Sequence, residues 1–435
     1  MTMRVIRWAC ASVLIVIFAA ASVCLALGGW EWVTEIWVSR SLMAQGVQVQ
    51  VISHPRENGN WSLFPRRAYQ LVFDSLHPDL RLASRLQRVT DLSFQNLRLD
   101  AEDCVALREV NSLRTLELYR VTLPSAGWQY LGQLSGLESI YLLEMRVDEP
   151  GVLSLARMPS LRYLWASHTE FRFSQRLNSN AFTVLQEATF VKCHIEPGFL
   201  GLIAHAPLEH LDMLQCQFPE HAVVYLSKLT ALRSLSLATN MSGLPVSEVL
   251  RSLDGLRSVN LCIGSHADEL CQSLATLPDL VEVQINVKKD VGVSDIGVKH
   301  LSGLERLSTL AINAKGLTDV GAEYLRRCSS LRVLRLIDSQ ISDRGLRAIA
   351  QLPELSELFI PGSRISDNGI KAIATSKTLR ILDVSRTQIT DESIESIKDC
   401  RSLQVLYIRG TGISRQGISV LQRCRPDLAV VHDGD

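Results

Sequence analysis

The segment "ISDNGIKAIATSKTLRILDVSRTQITDESIESI", residues 365–397, contains nearly the same pattern twice. The triplet that begins at Ile365 returns 24 residues later at Ile389, and the apolar residue Ile370 returns as Ile394. A fixed period of roughly 20 to 50 residues is the sequence signature of a repeat solenoid. This segment therefore predicts a chain built by stacking one small unit many times.

The same register extends over most of the chain. Apolar residues in the pattern L-x-x-L-x-L recur every 24 residues, except for one step of 23 after Leu185 and one of 27 after Leu280. The pattern starts at Val89, Leu113, Leu137, Leu161, Leu185, Leu208, Leu232, Leu256, Leu280, Leu307, Leu331, Leu355, Leu379 and Leu403, with a weaker start at Leu428. We therefore assign residues 89–435 to a solenoid of about 14 repeats plus a terminal strand.

One repeat contains a short strand and a short helix. In "LRVLRLIDSQISDRGLRAIAQLPE", residues 331–354, Leu334 and Leu336 follow the period of two that indicates a strand with one buried face. Ser342 then precedes Leu346 and Ile349, which indicates a capped helix with an apolar stripe. Because helices take more room than strands, we expect a right-handed, curved α/β solenoid with a concave parallel sheet and convex helices.

These residues resemble the leucine-rich-repeat family over about residues 89–430. The strand pattern is followed by Thr or Cys at its ninth position and Ile at its eleventh, as at Thr387 and Ile389, and the element I-[ST]-D-x-G-[LI] occurs at Ile341 and Ile365. Cysteines lie near the starts of repeats, at Cys328, Cys400 and Cys424. The chain is thus similar to the cysteine-containing, ribonuclease-inhibitor-like branch, and its amino and carboxyl ends look like those of membrane-anchored bacterial members of the planctomycete type. The resemblance implies a protein-interaction surface without a shared catalytic residue.

The composition limits the classes of function. The 435 residues include 45 basic and 45 acidic side chains, so the formal net charge is zero. This balance argues against a nucleic-acid-binding surface. The hydrophobic share of 47% is sufficient for a continuous core, and a repeat array needs no division into separate globular domains.

The segment from Trp8 to Trp30, "WACASVLIVIFAAASVCLALGGW", carries no charge over 23 residues. As a helix it would measure roughly 35 Å, which spans a bilayer core. We interpret residues 1–30 as a transmembrane anchor, with a cleaved signal peptide as the alternative. Arg4 and Arg7 favour a single-pass protein with a cytoplasmic amino terminus and exported repeats; a secreted or a cytoplasm-facing chain is the alternative.

Residues 31–88 precede the repeats and are interpreted as a juxtamembrane segment and an N-terminal cap that closes the end of the core. The stretch "VQVQVIS", 47–53, alternates like a strand, and "AYQLVFDSL", 68–76, fits a helix. Seven arginines between positions 40 and 88 leave this segment locally basic. They either contact anionic lipid headgroups or form a solvated cap surface.

Cys193 and Cys216 occupy the ninth position of consecutive repeats, followed by Asn240, so we expect these side chains to lie side by side. A disulfide, half a metal site and a column of small packed side chains are the alternatives. We favour packing, because no CxxC pair or matching histidines supply further ligands. The sequence therefore predicts free thiols, no metal and no cofactor.

His210 and Asp212 share the exposed face of one strand, with Glu187 beside them, which is a grouping that can perform acid–base chemistry. No GxSxG, HExxH or phosphate-binding glycine loop accompanies them. We therefore predict no catalytic residue and no enzyme activity, and we assign His210 and Asp212 to a polar binding surface.

Aromatic residues cluster on three adjacent strands at positions that should point outward. They are Tyr119, Tyr141, Tyr163 and Trp165, with Glu117 among them. Exposed aromatic side chains are typical anchors for a partner, whereas in the alternative they only stack on one another.

Three functions fit these patterns. The first is a membrane-anchored, non-enzymatic module that binds a protein or peptide on the concave face. The second is a structural envelope protein whose repeats act as spacers. The third, a substrate adaptor of a degradation system, is disfavoured because no recruiting domain is recognisable before residue 89.

Overall fold

The computed structural model describes residues 43, 47–53, 67–74, 89–174, 181–238, 243–288 and 292–433. The chain divides into an amino-terminal unit, Met1–Trp165, and a carboxy-terminal unit, Ala166–Asp435. Within the described ranges, no helix is long and apolar enough to cross a membrane. The anchor expected at residues 1–30 lies outside these ranges.

In the amino-terminal unit, the strands that begin at Thr115, Ser139 and Tyr163 each start two residues after a predicted repeat start, whereas the first repeat strand begins at Val89 itself. The strands are Gln48–Ser53, Arg67–Asp74, Val89–Gln95, Thr115–Tyr119, Ser139–Leu143, Arg146–Val147 and the beginning of Tyr163–Ser167. The helices are Ala101–Leu107, Ser125–Leu131 and Glu149–Ala156. Neighbouring repeat strands pair in parallel, so Leu116 lies beside Ile140 in the buried layer.

Before the first repeat strand, the segments Gln48–Ser53 and Arg67–Asp74 pair as antiparallel strands. The second of them also pairs in parallel with Val89–Gln95. The helix predicted at residues 68–76 is therefore wrong. Leu71 and Phe73 are both fully buried while Val72 between them is only half-buried, which is the alternation of a strand with one face on the core.

The carboxy-terminal unit continues the same alternation of strands and helices. Its strands are Glu170–Phe171, Glu187–Val191, His194–Ile195, His210–Leu214, Ser234–Ala238, Ser258–Ile263, Glu282–Val287, Thr309–Asn313, Val333–Ile337, Glu357–Phe359, Ile381–Asp383, Val405–Tyr407 and Ala429–Val431. Its α-helices are Pro197–Ile203, Gly243–Leu250, Ala267–Leu274, Asp295–Leu301, Asp319–Leu325, Asp343–Ile349, Asp367–Ile373, Ile394–Asp399 and Arg415–Cys424. The described part of this unit also contains the 3₁₀ helices Glu220–Lys228 and Asp391–Ser393.

The parallel register of this unit reproduces the repeat length. Strand partners are 24 residues apart at His210 and Ser234, and 27 apart at Glu282 and Thr309, where the sequence has its longest repeat. Of Lys288, Lys289 and Asp290, which follow the strand of this longest repeat, only Lys288 lies within the described ranges. Parallel strands joined by short helices thus form an α/β repeat solenoid, as predicted.

Most repeat strands are followed, within three residues, by a residue with left-handed backbone geometry. Its φ lies between 49° and 73° at Asn96, Arg120, Glu144, His168, Lys192, Gln215, Asp338, Gly362, Arg386 and Gly410. Only Gly362 and Gly410 among these residues are glycine. The others have a Cβ, so the left-handed conformation costs them conformational free energy. The neighbouring repeat offsets this cost by accepting the N–H of this residue, as when Lys192 donates to the Leu214 carbonyl at 2.7 Å.

Candidate functional site

The candidate binding surface is the exposed sheet face, which we define as the side chains at the third, fifth and seventh positions of each L-x-x-L-x-L pattern. These side chains alternate with buried ones along each strand; in Ser139–Leu143, Ile140 and Leu142 are buried while Tyr141 is exposed. Because strand residues point alternately to opposite faces, the apolar pattern that fills the core also fixes which residues meet the solvent.

In the amino-terminal unit, Tyr141 and Trp165 form an aromatic pair on this face. Their ring centroids are 6.0 Å apart with the planes tilted by 43°, and Glu117 lies opposite Tyr141 on the next strand. Tyr163 lies two residues before Trp165 on the same strand, and Tyr141 and Tyr163 are each 38% exposed. The two tyrosines therefore offer aromatic surface to the solvent beside Trp165, although Tyr141 and Trp165 also pack on each other.

Tyr119 has different surroundings. It lies opposite Leu143, one row away from Tyr141, and its hydroxyl donates to Glu144 at 3.4 Å. The Arg120 guanidinium lies 5.0 Å from the Tyr119 ring centroid and forms an ion pair of 2.6 Å with Glu144. The structure therefore places Tyr119 beside a charged pair, at one end of its strand.

In the carboxy-terminal unit, His210 lies directly opposite Glu187, and Asp212 lies opposite Thr189. Burial raises the pKa of Asp212. The nearby His210 lowers this pKa, and the negative charge of Glu187 raises it further. The three side chains share one part of the exposed sheet face, as expected. Among the residues the structure describes, no group of three or more His, Cys, Asp or Glu could hold a metal ion.

Cys193 and Cys216 lie side by side and are buried, as predicted from their shared repeat position. Their thiols donate to backbone carbonyls, Cys216 to Phe190 at 3.2 Å and Cys193 to Val191 at 3.5 Å. The contact with Cys193, together with burial, raises the pKa of Cys216, so this thiol stays protonated. Asn240, the expected third member, lies outside the described ranges.

A second row of outward residues was not identified from the sequence. Arg335, Phe359, Asp383 and Tyr407 occupy the fifth position of four consecutive repeats and pair laterally across their strands. The Arg335 guanidinium lies 4.7 Å from the Phe359 ring centroid. The same position rule that found Tyr141 would have found this row, had it been applied beyond Leu331.

A chain of aspartates at the helix starts was also missed. Asp319 accepts hydrogen bonds from the next repeat: from the Ser342 N–H at 2.8 Å, the Ser342 hydroxyl at 2.6 Å and the Gly345 N–H at 3.0 Å. The Ser342 hydroxyl in turn accepts the N–H of Arg344, which caps the helix that begins at Asp343. Ser342 thus connects its own helix to the carboxylate of Asp319 in the preceding repeat.

We call this arrangement the aspartate ladder. Its carboxylates belong to Asp268, Asp295, Asp319, Asp343, Asp367 and Asp391, and the hydroxyls that donate to them belong to Ser294, Thr318, Ser342, Ser366, Thr390 and Ser414. The glycine two residues after most of these aspartates is required because a Cβ at Gly345 would lie 2.5 Å from Asp319 Oδ1. The S-D-x-G element is therefore a contact between repeats as well as a helix start.

A cavity of about 600 Å³ lies beside the 3₁₀ helix Glu220–Lys228 and the helix Gly243–Leu250. Val223, Pro245 and Val249 give it an apolar part, and Glu220 and Glu248 an acidic part. It involves the helices, so it is separate from the exposed sheet face.

Comparison with known proteins agrees with this geometry. A family model described as Leucine Rich repeat matches residues 327–350 and 375–398. No curated protein sequence matches the chain significantly.

Several solved structures are similar in fold. A leucine-rich-repeat protein of Leptospira interrogans is 16% identical, with a TM-score of 0.51 over 81% of this chain and 92% of that one. TLR13, in its complex with ssRNA13, is 17% identical, with a TM-score of 0.54 over 80% of this chain and 53% of that one. The mouse RP105/MD-1 complex matches at 15% identity and a TM-score of 0.52, over 83% of this chain and 69% of that one. The repeat register, the parallel sheet and these likenesses together identify the chain as having the leucine-rich-repeat fold.

Proposed function

We propose that this protein is a membrane-anchored, non-enzymatic interaction module that binds a protein or peptide on its exposed sheet face. The observation that carries the proposal is the cluster of Tyr141, Tyr163 and Trp165, in which two tyrosines are 38% exposed beside a tryptophan. Tyrosine and tryptophan bury a large area at little cost in conformational entropy, and they are enriched among residues that dominate binding energy.

A protein or peptide is the ligand class that best fits the charges. The formal net charge is zero, and Arg120 near the cluster is already paired with Glu144 at 2.6 Å. A nucleic-acid ligand requires an excess of cations along its backbone. Of the similar structures, RP105 is bound to MD-1 and TLR13 to ssRNA13, so the fold itself accepts both kinds of partner.

The absence of enzyme activity is part of the proposal. His210, Asp212 and Glu187 form a polar group that no GxSxG or HExxH motif accompanies in the sequence, which suits hydrogen bonding to a partner better than catalysis. The alternative, a structural envelope protein, would leave the aromatic cluster without a ligand.

We further propose that Trp8–Trp30 anchors the protein and that the repeats face away from the cytoplasm, as in the membrane-anchored, ribonuclease-inhibitor-like proteins that the sequence resembles. Arg4 and Arg7 support this orientation. The full chain should stay with membranes through carbonate and high-salt washing. Release of an intact protein beginning near Gly29 would indicate a cleaved signal, and a reporter at Asp435 active only in the cytoplasm would reverse the orientation.

The experiment that tests binding is cross-linked capture from solubilised membranes, carried out with the parent chain and with Tyr141→Ala/Trp165→Ala. The control is Tyr324→Ala, since Tyr324 is a half-buried tyrosine on a helix. We expect a specific partner to be captured by the parent and the control and lost from the double variant. Equal capture by all three would support the structural alternative.

A further inference from the structure

The second outward row lies in the carboxy-terminal unit and combines aromatic and charged groups. Phe359, Asp383 and Tyr407 come from three adjacent strands, with Phe359 paired to Asp383 and Asp383 paired to Tyr407. Leu358, Leu382 and Leu406, which alternate with them, are buried, so the three outward residues share the exposed sheet face. A short acidic side chain therefore lies between two rings.

The rings are close enough to act on one ligand group. Their centroids are 6.5 Å apart and their planes are tilted by 39°. A cation interacts favourably with an aromatic face within about 6 Å of its centroid, so a cation above Asp383 would lie within range of both rings. The negatively charged carboxylate of Asp383 would also form an ion pair with this cation.

The row already contains one such contact. The Arg335 guanidinium lies 4.7 Å from the Phe359 ring centroid, and its charge is matched by Glu357 at 3.7 Å. Arg335 comes from the strand before Phe359, whereas Asp383 and Tyr407 come from the strands after it. Phe359 thus already stacks with one guanidinium, that of Arg335, whose charge Glu357 balances. Tyr407 and Asp383 offer the same combination, an aromatic ring and a carboxylate, for a second guanidinium.

Asp383 differs from Glu357 in its partners. Its Oδ1 atom accepts the N–H of Ser385 at 2.9 Å. Among the described residues, no basic side chain lies within ion-pair distance of its carboxylate, and the residue is only half-buried. The carboxylate therefore retains a free oxygen and an uncompensated charge on the exposed sheet face.

We infer that Phe359, Asp383 and Tyr407 form a binding site for an arginine side chain of a peptide partner. The guanidinium stacks on the rings and pairs with Asp383. Arginine fits better than lysine because its planar group both stacks on aromatic faces and forms directed hydrogen bonds to carboxylates. Ile381 and Val405, half-buried on the same strands, offer apolar contact to the aliphatic part of the ligand. This inference rests on the proposed function, in that it takes the exposed sheet face to be the peptide-binding surface.

The test uses the full chain in a non-ionic detergent and the peptide acetyl-Gly-Arg-Gly-Arg-Gly-Arg-amide, titrated calorimetrically at low salt. The matched probe replaces every arginine with citrulline, which keeps the shape and removes the charge. We expect the arginine peptide to bind at least tenfold more tightly than the citrulline peptide. Asp383→Asn keeps an acceptor for Ser385 and should weaken binding about tenfold, and Tyr407→Leu should weaken it several-fold.

Asp254→Asn is the control, since Asp254 is exposed, lies outside the strands of this row and gives the same change of charge. A second probe replaces every arginine of the peptide with lysine. The inference is wrong if the parent does not bind the arginine peptide, if the citrulline or the lysine peptide binds equally well, or if Asp254→Asn weakens binding as much as Asp383→Asn. Tyr141→Ala/Trp165→Ala should still bind the arginine peptide. If Asp383→Asn binds the peptide as the parent does, while the aromatic double variant loses its captured partner, only this inference fails and the proposed function stands.

Discussion

The two units share one kind of core but differ at their helix starts. In the amino-terminal unit, Asp100 and Asp148 cap their own helices, and the helix Ser125–Leu131 begins after Pro124 without a side-chain cap. In the carboxy-terminal unit, from Asp268 onward, carboxylates accept hydrogen bonds from the following repeat. The same solenoid can thus be held together with or without an aspartate ladder.

The exposed sheet faces differ as well. The amino-terminal unit presents the rings of Tyr141, Tyr163 and Trp165, whereas the carboxy-terminal unit presents mixed charged and aromatic residues such as Arg335 and Asp383. The aspartate ladder lies at the helix starts, so it does not restrict which residues occupy the exposed sheet face. Contacts that stabilise the repeats and contacts that bind a partner therefore belong to separate positions of the repeat, and each can be changed alone.

The largest expected effect concerns what the units have in common. Leu116→Ala and Leu382→Ala each remove a buried leucine, 0% and 1% exposed, from a strand of one unit. Both should lower the free energy of unfolding by about 2 to 5 kcal/mol, because each leaves a cavity between neighbouring repeats. Urea denaturation followed by circular dichroism measures this change. A loss below about 1 kcal/mol in only one unit would show that the cores are not equivalent.

The next effect concerns the ladder, which distinguishes the units. Asp319→Ala leaves three donors of the following repeat without their acceptor, and the expected loss is about 2 to 4 kcal/mol because hydrogen bonds to a half-buried carboxylate are strong. Asp148→Ala removes an exposed cap that accepts the Gly151 N–H at 3.1 Å and, more weakly, the Ser125 hydroxyl at 3.3 Å, and the expected loss is about 1 kcal/mol. The same denaturation experiment compares them.

A double-mutant cycle with Ser342→Ala tests the contact itself. If the ladder acts through Ser342, the losses caused by Asp319→Ala and Ser342→Ala should be clearly less than additive. Additive losses, or equal losses for Asp319→Ala and Asp148→Ala, would mean that the ladder contributes no more than ordinary helix capping.

The smallest effect concerns two serines at the ninth position of neighbouring repeats in the carboxy-terminal unit, Ser339 and Ser363, whose hydrogen bonding differs. The Ser363 hydroxyl donates to the Ile360 carbonyl at 2.7 Å, whereas the Ser339 hydroxyl is the one buried side-chain polar atom among the described residues that has no hydrogen-bond partner. Ser363→Ala should therefore destabilise the protein by about 1 kcal/mol, and Ser339→Ala should stabilise it by a similar amount. Melting temperatures that fall in both variants would contradict this difference.

The fold was predictable because the apolar period depends only on which residues are buried. The starts from Leu113 to Leu403 gave the strand positions, and Ser342 was correctly identified as a helix cap. Residues 68–76 were misread because this segment lies outside the repeat and is short. Only its pairing with Gln48–Ser53 and Val89–Gln95 shows that it is a strand.

The candidate sites were predictable only in part. Position in the repeat showed that Tyr141 and Trp165 face outward and that Cys193 lies beside Cys216, because these contacts follow the strand register. The ladder was not found, since the S-D-x-G element was interpreted within one helix. The carboxylate of Asp319 reaches into the next repeat, and no local pattern shows the direction of a side chain.

The central claim is that the exposed aromatic cluster serves recognition and the ladder serves stability. The most direct measurement determines, for one captured partner, both the dissociation constant and the free energy of unfolding in Tyr141→Ala/Trp165→Ala and in Asp319→Ala. We predict that the aromatic double variant weakens binding by about 2 kcal/mol or more, roughly 30-fold, with less than about 1 kcal/mol lost in stability. Asp319→Ala should lose about 2 to 4 kcal/mol of stability and bind normally below its melting transition. An aromatic double variant that unfolds as readily as Asp319→Ala, or that binds the partner as tightly as the parent, would contradict the claim.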